Sequence, residues 1–321
     1  MRLKNPLIAG SSGLTDSIES LIELETYGAG AVVLKSLFEE EILRDMKIRL
    51  DAMNSSGFLY PETVEFYDYY DGPKETTTSY LELIKKAKKK LNIPVIASIN
   101  CLDADNWTYF PCRIEEAGAD AIELNIFNLP TNLNKSSAEN EKIYFDIITE
   151  VRKQVKLPIF VKLSYYASSL AAFLVKISQT QIDGLVLFNR FYNPDIDLET
   201  MEVTSGAVLS TPGDMFHTLR WIAILSERVD CSLIASTGIH DANGVIKQIL
   251  AGAAAVQIVS TLYRNGTSYL KQILVDMEKW MTLKNYNSPD DFRGKLSQSK
   301  TSNPAVYSRV QFMKYYRGFP K

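Results

Sequence analysis

Two lysines and three asparagines stand at the ends of short apolar runs in this chain: Lys35, Lys162, Asn100, Asn125 and Asn189. The stretch "ELNIFNLP" (123–130) adds a further amide, Asn128, three positions after Asn125. Amides donate and accept hydrogen bonds in one plane, which suits planar heterocycles. They have no accessible pKa and cannot abstract a proton. Lysine is rarely buried unless paired, so two lysines closing apolar strands point to a bound anion or an electron-rich ring. Either lysine alone would be explained equally well by a side chain reaching solvent. Near the C-terminus, "ASTGIHDANGVIKQIL" and "VQIVSTLYRNG" each place small residues before a helical pattern, the first helix expected to start near Asp241. Backbone N–H groups and a helix N-terminus in that arrangement cradle phosphate. A tight turn with incidental small residues explains one such loop better than two. Together these residues describe a site for a phosphate-bearing planar ring.

Eight β-branched runs must position that set: "PLIAG" (6–10), "AVVLK" (31–35), "PVIASIN" (94–100), "AIELNI" (121–126), "PIFVKL" (158–163), "GLVLFN" (184–189), "LIAST" (233–237) and "AVQIVS" (255–260). Continuous rather than alternating apolar character marks strands of a parallel sheet, covered on both faces. An amphipathic segment follows each run, and eight such units predict an α/β fold, a (β/α)8 TIM barrel forming one domain over 1–321. A doubly wound open sheet is the competing architecture, but it does not require eight even repeats. Two connections are too long for simple loops. Residues 36–79, after strand two, are acidic and tyrosine-rich; residues 190–217 follow strand six. Both leave from strand C-terminal ends, where barrels build active sites. The acidic portion from Glu39 to Arg49 reads as a solvated surface helix, and "FLYPETVEFYDYY" as a lid or substrate wall.

Bulk properties narrow the function. The 321 residues are 46% hydrophobic and 23% charged, with a formal charge of −3, so no basic footprint for nucleic acid is present. No apolar run approaches the roughly 20 residues that span a bilayer. The N-terminus "MRLKNPLIAG" lacks the pattern of a signal peptide. Cys101, Cys112 and Cys231 are widely spaced and form no CxxC pair, which argues for reduced cytoplasmic thiols and against a metal site. The expected partner is a small-molecule substrate, with no nucleic acid and no membrane.

The order of these motifs resembles the dihydroorotate dehydrogenase family, FMN-binding barrels that oxidise dihydroorotate to orotate. "NPLIAGSSG" and "GAGAVVLKS" are similar to its first two strands, "AIELNI" to its fourth and "FVKL" to its fifth. "STGIHDANGVIKQILAGAAAVQIVSTLYRNG" resembles its phosphate-binding end and "YNSPDDFRGKL" its terminal segment. The resemblance implies FMN as cofactor and a homodimer. It assigns flavin contacts to Ala9, Gly10 and Ser11, to Lys35 and Ser36, and to Asn100, Asn125 and Lys162. Ser236, Thr237, Gly238, Val259 and Ser260 would hold the phosphate, and Lys35, Asn125 and Asn189 the substrate. Lys162 would stabilise negative charge on the reduced ring.

The resemblance breaks at the opening stretch. Asn128 stands where the family carries the cysteine or serine that removes the substrate proton, and Pro130 where it carries an asparagine. Thr237-Gly238 replaces a glycine pair, and "MNSSGFLYPE" matches the substrate loop only loosely. Removing a general base typically costs about 10²–10⁴ in rate. Candidate substitutes are Glu62 in the aromatic insertion, then Tyr165 and Tyr166, then Cys101; His240 reads as a cap and His217 as a helix start. The expected function is an FMN-dependent oxidoreductase acting on CH–CH groups, with an altered substrate. Genuine dihydroorotate oxidation with a replaced base, a non-redox barrel acting on a sugar phosphate, and a flavin-binding protein without turnover are the alternatives. A sugar-phosphate enzyme needs an acid–base pair that lysines and amides do not supply.

Overall fold

The computed structural model describes residues 1–41, 76–100, 106–191 and 193–309. Its strands are β1 (Leu7–Ala9), β2 (Ala31–Val33), a two-residue β3 (Leu37–Phe38), β4 (Val95–Asn100), β5 (Ala121–Asn125), β6 (Ile159–Leu163), β7 (Gly184–Leu187), β8 (Pro194–Asp197), β9 (Glu202–Ser205), β10 (Ser232–Ser236) and β11 (Ala255–Ile258). Eight of them pair in parallel in the order β2-β1-β11-β10-β7-β6-β5-β4. β4 then pairs with β2 through Val32 opposite Val95, closing the ring. That closing pair excludes the open sheet and makes the fold a (β/α)8 barrel.

The helices are α1 (Ile18–Thr26), α2 (Thr76–Lys90), α3 (Asn106–Ala117), α4 (Ser137–Gln154), α5 (Leu170–Ser178), α6 (Met215–Leu225), α7 (Ala242–Ala251), α8 (Ser260–Asn265), α9 (Tyr269–Leu283) and α10 (Ala305–Ser308). Local sequence fixes their ends. Ser136 and Glu139 form a reciprocal capping box at the start of α4, which then buries Tyr144, Ile147, Ile148 and Val151 on one stripe. Asp241 caps α7 by accepting from Gly244 N, and Gly252, at φ +129°, stops it. A Cβ on Gly252 would lie 2.2 Å from Ser226 Oγ, so the helix can turn there only on glycine.

Strand alternation divides the barrel into two cores. One set of residues faces the helices. The other faces the barrel axis and forms its own cluster of Ile8, Ala31, Val33, Ile96, Ala121, Phe160, Val186, Ile234 and Ala255. Two residues further along the same strands, on the same inward face, the chemistry changes to Gly10, Ser98, Glu123, Lys162, Ser236 and Gln257. The barrel is thus apolar at its N-terminal floor and polar at its C-terminal mouth. Ala9 falls on the opposite phase and packs in the helix-side core.

The excursion after β7 contains the antiparallel hairpin β8–β9, every residue of which is exposed. Its base is tied by Arg190, whose guanidinium donates to the carbonyls of Ala207 (2.8 Å) and Val208 (2.7 Å). Of the excursion after β2, residues 36–41 and 76–79 are described; the latter already belong to α2, so the connection is shorter than 36–79. Most of the Glu39–Arg49 segment and all of the aromatic stretch around Glu62 lie outside the described residues.

Candidate active site

Three inward side chains from β5, β6 and β11 form a buried polar cluster below the mouth. Lys162 Nζ lies 3.5 Å from Glu123 Oε1 and donates to Gln257 Oε1 at 3.2 Å. Gln257 Nε2 in turn donates to Glu123 Oε2. Glu123 Oε1 accepts no hydrogen bond among the described residues, so that oxygen is held by the lysine's charge alone. Such a pair is worth keeping only if each charge answers the other, since desolvating either is costly.

Directly above, the amides of the mouth bind one another. Asn100 Nδ2 donates to the Asn125 carbonyl at 2.9 Å, and Asn189 Nδ2 to Asn125 Oδ1 at 2.6 Å. Asn189 Oδ1 accepts from Arg190 N. On the other side a serine ladder runs across β1, β2 and β4. Ser11 Oγ accepts from Ser36 N at 2.8 Å, and Ser36 Oγ meets Ser98 Oγ at 2.7 Å. Behind it the Tyr80 hydroxyl donates to Ser98 O and accepts from Ser98 N. Burial holds the Tyr80 phenol far above its ordinary pKa, so it stays protonated and structural.

The two lysines do not converge as the sequence implied. Lys35 is half-exposed and pairs with Glu41 at 3.3 Å, whereas Lys162 turns inward to Glu123. At the end of β10 the chain passes through left-handed conformations at Thr237 (φ +78°) and Gly238 (φ +76°). A Cβ on Gly238 would sit 2.2 Å from Met215 N, so only glycine fits. Gly238 N donates to Ser210 Oγ, which also lies 3.3 Å from His240 Nε2, while Ser210 N donates to Ser260 Oγ. The cap of α7 is Asp241 rather than His240. Burial, then Arg264, lowers the His240 pKa, and its imidazole is neutral at pH 7. A cavity of about 150 Å³ joins these parts, lined by Lys162, Asn189, Ser210, Gly238, Gln257 and Ser260 among others.

Asn128 lies just past this cluster, on the exposed loop after β5. Tyr165 and Tyr166 stand at the rim, each 40% exposed, with ring centroids 4.7 Å apart. The hydrogen bond to Tyr166 raises the Tyr165 pKa, so Tyr165 carries no negative charge at neutral pH. His217 packs on Tyr165 within the first turn of α6, as expected for a helix start. Glu62 and Cys101 lie outside the described residues. Among the described residues no group of acidic, histidine or cysteine side chains is arranged to hold a metal, and no helix is long and apolar enough to cross a membrane.

Comparison with known proteins decides the family. The model of the family described as dihydroorotate dehydrogenase matches residues 1–281. The chain belongs to the dihydroorotate dehydrogenase family. Among curated relatives, the catalytic subunit of dihydroorotate dehydrogenase B (NAD(+)) from Thermoplasma acidophilum is 28% identical over 308 residues, covering 92% of this chain and 95% of that one. The proteins of the same name from Malacoplasma penetrans and Methanocaldococcus jannaschii are 27% identical (91% and 94% covered) and 26% identical (85% and 88% covered). The family consists of FMN-dependent oxidoreductases acting on CH–CH groups, and the chain is an oxidoreductase of that kind. The residues present fit FMN. A buried ammonium lies beneath a set of amides, and a left-handed Thr237–Gly238 turn opens on the cavity that Lys162 lines.

Glu123 and Gln257 were not singled out from the sequence. The signal was there: each is a polar residue inside a run otherwise read as buried on both faces, and each shares the inward phase of a recognised site residue or strand end.

Proposed function

We propose that the chain is an FMN-dependent oxidoreductase whose substrate is a small planar or unsaturated molecule other than dihydroorotate. The observation that carries the redox half is the buried Lys162–Glu123–Gln257 cluster opening on the same cavity as Thr237 and Gly238. FMN supplies hydride acceptance and donation at its N5. In this reading Lys162 lends its positive charge to the electron-rich ring, with Glu123 and Gln257 fixing where that charge sits. Asn100 and Asn125 hold the ring edge, and Asn125 with Asn189 orients the substrate. Gly10, Ser11 and Ser36 line the flavin from the β1–β2 side, with Lys35 at the outer edge and Ala9 offering backbone only. Backbone N–H groups at Ser236–Gly238 and Val259–Ser260 take the phosphate.

The altered substrate rests on Asn128. An amide at the position of the proton-removing residue leaves dihydroorotate oxidation without its base. A genuine dihydroorotate dehydrogenase with a replaced base is the second reading, favoured by the names of the relatives, which also support NAD(+) as an acceptor reached through another subunit. A single FMN-binding domain over 1–321, a homodimer, and a cytoplasmic setting in pyrimidine metabolism belong to the same proposal, supported by family kinship and by cysteines that form no CxxC motif. The test is an absorbance spectrum of the purified protein followed by anaerobic addition of dihydroorotate. Flavin bands that dihydroorotate leaves unbleached are expected. Rapid bleaching would establish the second reading, and failure to take up FMN would sink the flavoprotein assignment.

A further inference from the structure

Rings from three consecutive βα loops and from α6 form one continuous wall at the mouth. Phe127, after β5, stacks on Phe191, after β7, with centroids 3.8 Å apart and planes 25° from parallel. Phe191 meets Tyr166 edge-on at 5.4 Å, and Tyr166 meets Tyr165 at 4.7 Å. Tyr165 then packs on Phe188 at 5.7 Å and His217 at 4.3 Å. Phe188 lines the same cavity as Lys162 and Asn189, so the wall starts inside the site and runs outward.

The wall is apolar at its outer, Phe127 end. Phe127 is 45% exposed, and Leu129 on the same loop 44%. Arg190, the cation adjacent to Phe191, is held by the Ala207 and Val208 carbonyls, to which its guanidinium donates. Rings already stacked on one another lose little rotamer freedom when a ligand covers them. Contiguous exposed aromatic surface that continues a polar cavity is the signature of a binding site rather than of scattered surface residues.

We propose that the substrate carries an aromatic or similarly flat apolar substituent beside its CH–CH bond, and that Phe127, Phe191 and Tyr166 bind it. The amides and Lys162 grip the polar end; the rings select by the other end. This substrate class rests on the oxidoreductase reading above.

The test uses two matched probe pairs, cinnamate against crotonate and 6-phenyluracil against 6-methyluracil, each pair differing in one phenyl for a methyl. Their affinities for the full chain are measured by calorimetry, with and without FMN. The ring-bearing member should bind more tightly in at least one pair. Phe127→Ala and Phe191→Ala should each weaken that member about three- to tenfold and leave the methyl member unchanged, the range expected for one aromatic contact. Tyr166→Leu, at an exposed position, serves as a third variant if the Phe191 change prevents folding. No phenyl preference in either pair, or equal loss for both members, overturns the inference. The flavin is scored separately by absorbance. A yellow protein without phenyl preference refutes only the wall, and a colourless one with it refutes only the flavoprotein reading.

Discussion

Replacing Lys162 with Met removes the charge that answers Glu123 while keeping most of the side-chain volume. Glu123 is 1% exposed, and its Oε1 accepts no hydrogen bond among the described residues. The 3.5 Å separation corresponds to about 5 kcal/mol of attraction at an effective dielectric near 20. Leaving one partner of a buried pair uncompensated typically costs about 3–5 kcal/mol, so the two figures agree. At roughly 2 °C per kcal/mol for a chain of this size, Tm should fall by about 6–10 °C. Adding Glu123→Gln removes the stranded charge, and the double variant should regain most of that loss. It should not regain flavin reduction, because the positive charge beside the ring is still gone. Scanning calorimetry of the wild type, both singles and the double decides the matter. If Lys162→Met and the double variant melt at the same temperature, Glu123 and Lys162 are not coupled and the account of the cluster is wrong. If flavin reduction is unchanged in Lys162→Met, the lysine has no part in the chemistry.

Other perturbations probe the remaining parts. Asn128→Cys should raise anaerobic dihydroorotate oxidation, by up to the ~10²–10⁴ that a general base contributes, with no gain meaning that the pocket itself excludes that substrate. Gly238→Ala forces a Cβ into Met215 N at φ +76°, and should weaken FMN retention on gel filtration and lower Tm; strain of this sort costs about 1–3 kcal/mol. Tyr80→Phe leaves Ser98 N and O without their buried partner, at a cost of about 1–3 kcal/mol in chemical denaturation. His217 and His240 are the chain's two histidines, and burial lowers the pKa of both. The unfolded chain therefore takes up their protons first. Stability should be full above about pH 6.5 and decline as pH drops toward the lowered folded values. A His217→Gln/His240→Asn variant should show a flatter Tm between pH 7 and 5, and an unchanged slope would show that carboxylates govern that range.

The barrel was legible because its signal is redundant. Each of "AVVLK", "PIFVKL" and "AVQIVS" is too apolar for a half-exposed strand, and eight of them with helical spacers leave few alternatives. Asp241 as the start of α7 could be read from its type and place alone. The site was legible only where a residue's type was incongruous at a strand end, as with Lys162 and Asn125. Glu123 is harder to read, because an acid beside "LNI" does not reveal which face it takes until Asn125 fixes the phase. Lys35 is ambiguous in the opposite sense. Its long side chain could reach either way from the end of β2, and the choice is made by Glu41, six residues on. The β8–β9 hairpin shows only a short alternation, Ile196 and Leu198 then Met201 and Val203 among acids, without the continuous apolar character that marks the barrel strands.

The Arg190 tie has a bearing on how this barrel can change. By fastening residue 190 to residues 207 and 208, it stitches the two ends of the hairpin excursion together beside the cavity wall. The β8–β9 hairpin beyond those stitches lines no part of the cavity, and lengthening a closed loop is entropically cheap. The hairpin is therefore a grafting point: a peptide, a fluorophore site or a second domain spliced between β8 and β9 can vary freely while Asn189 and Ser210 keep their places.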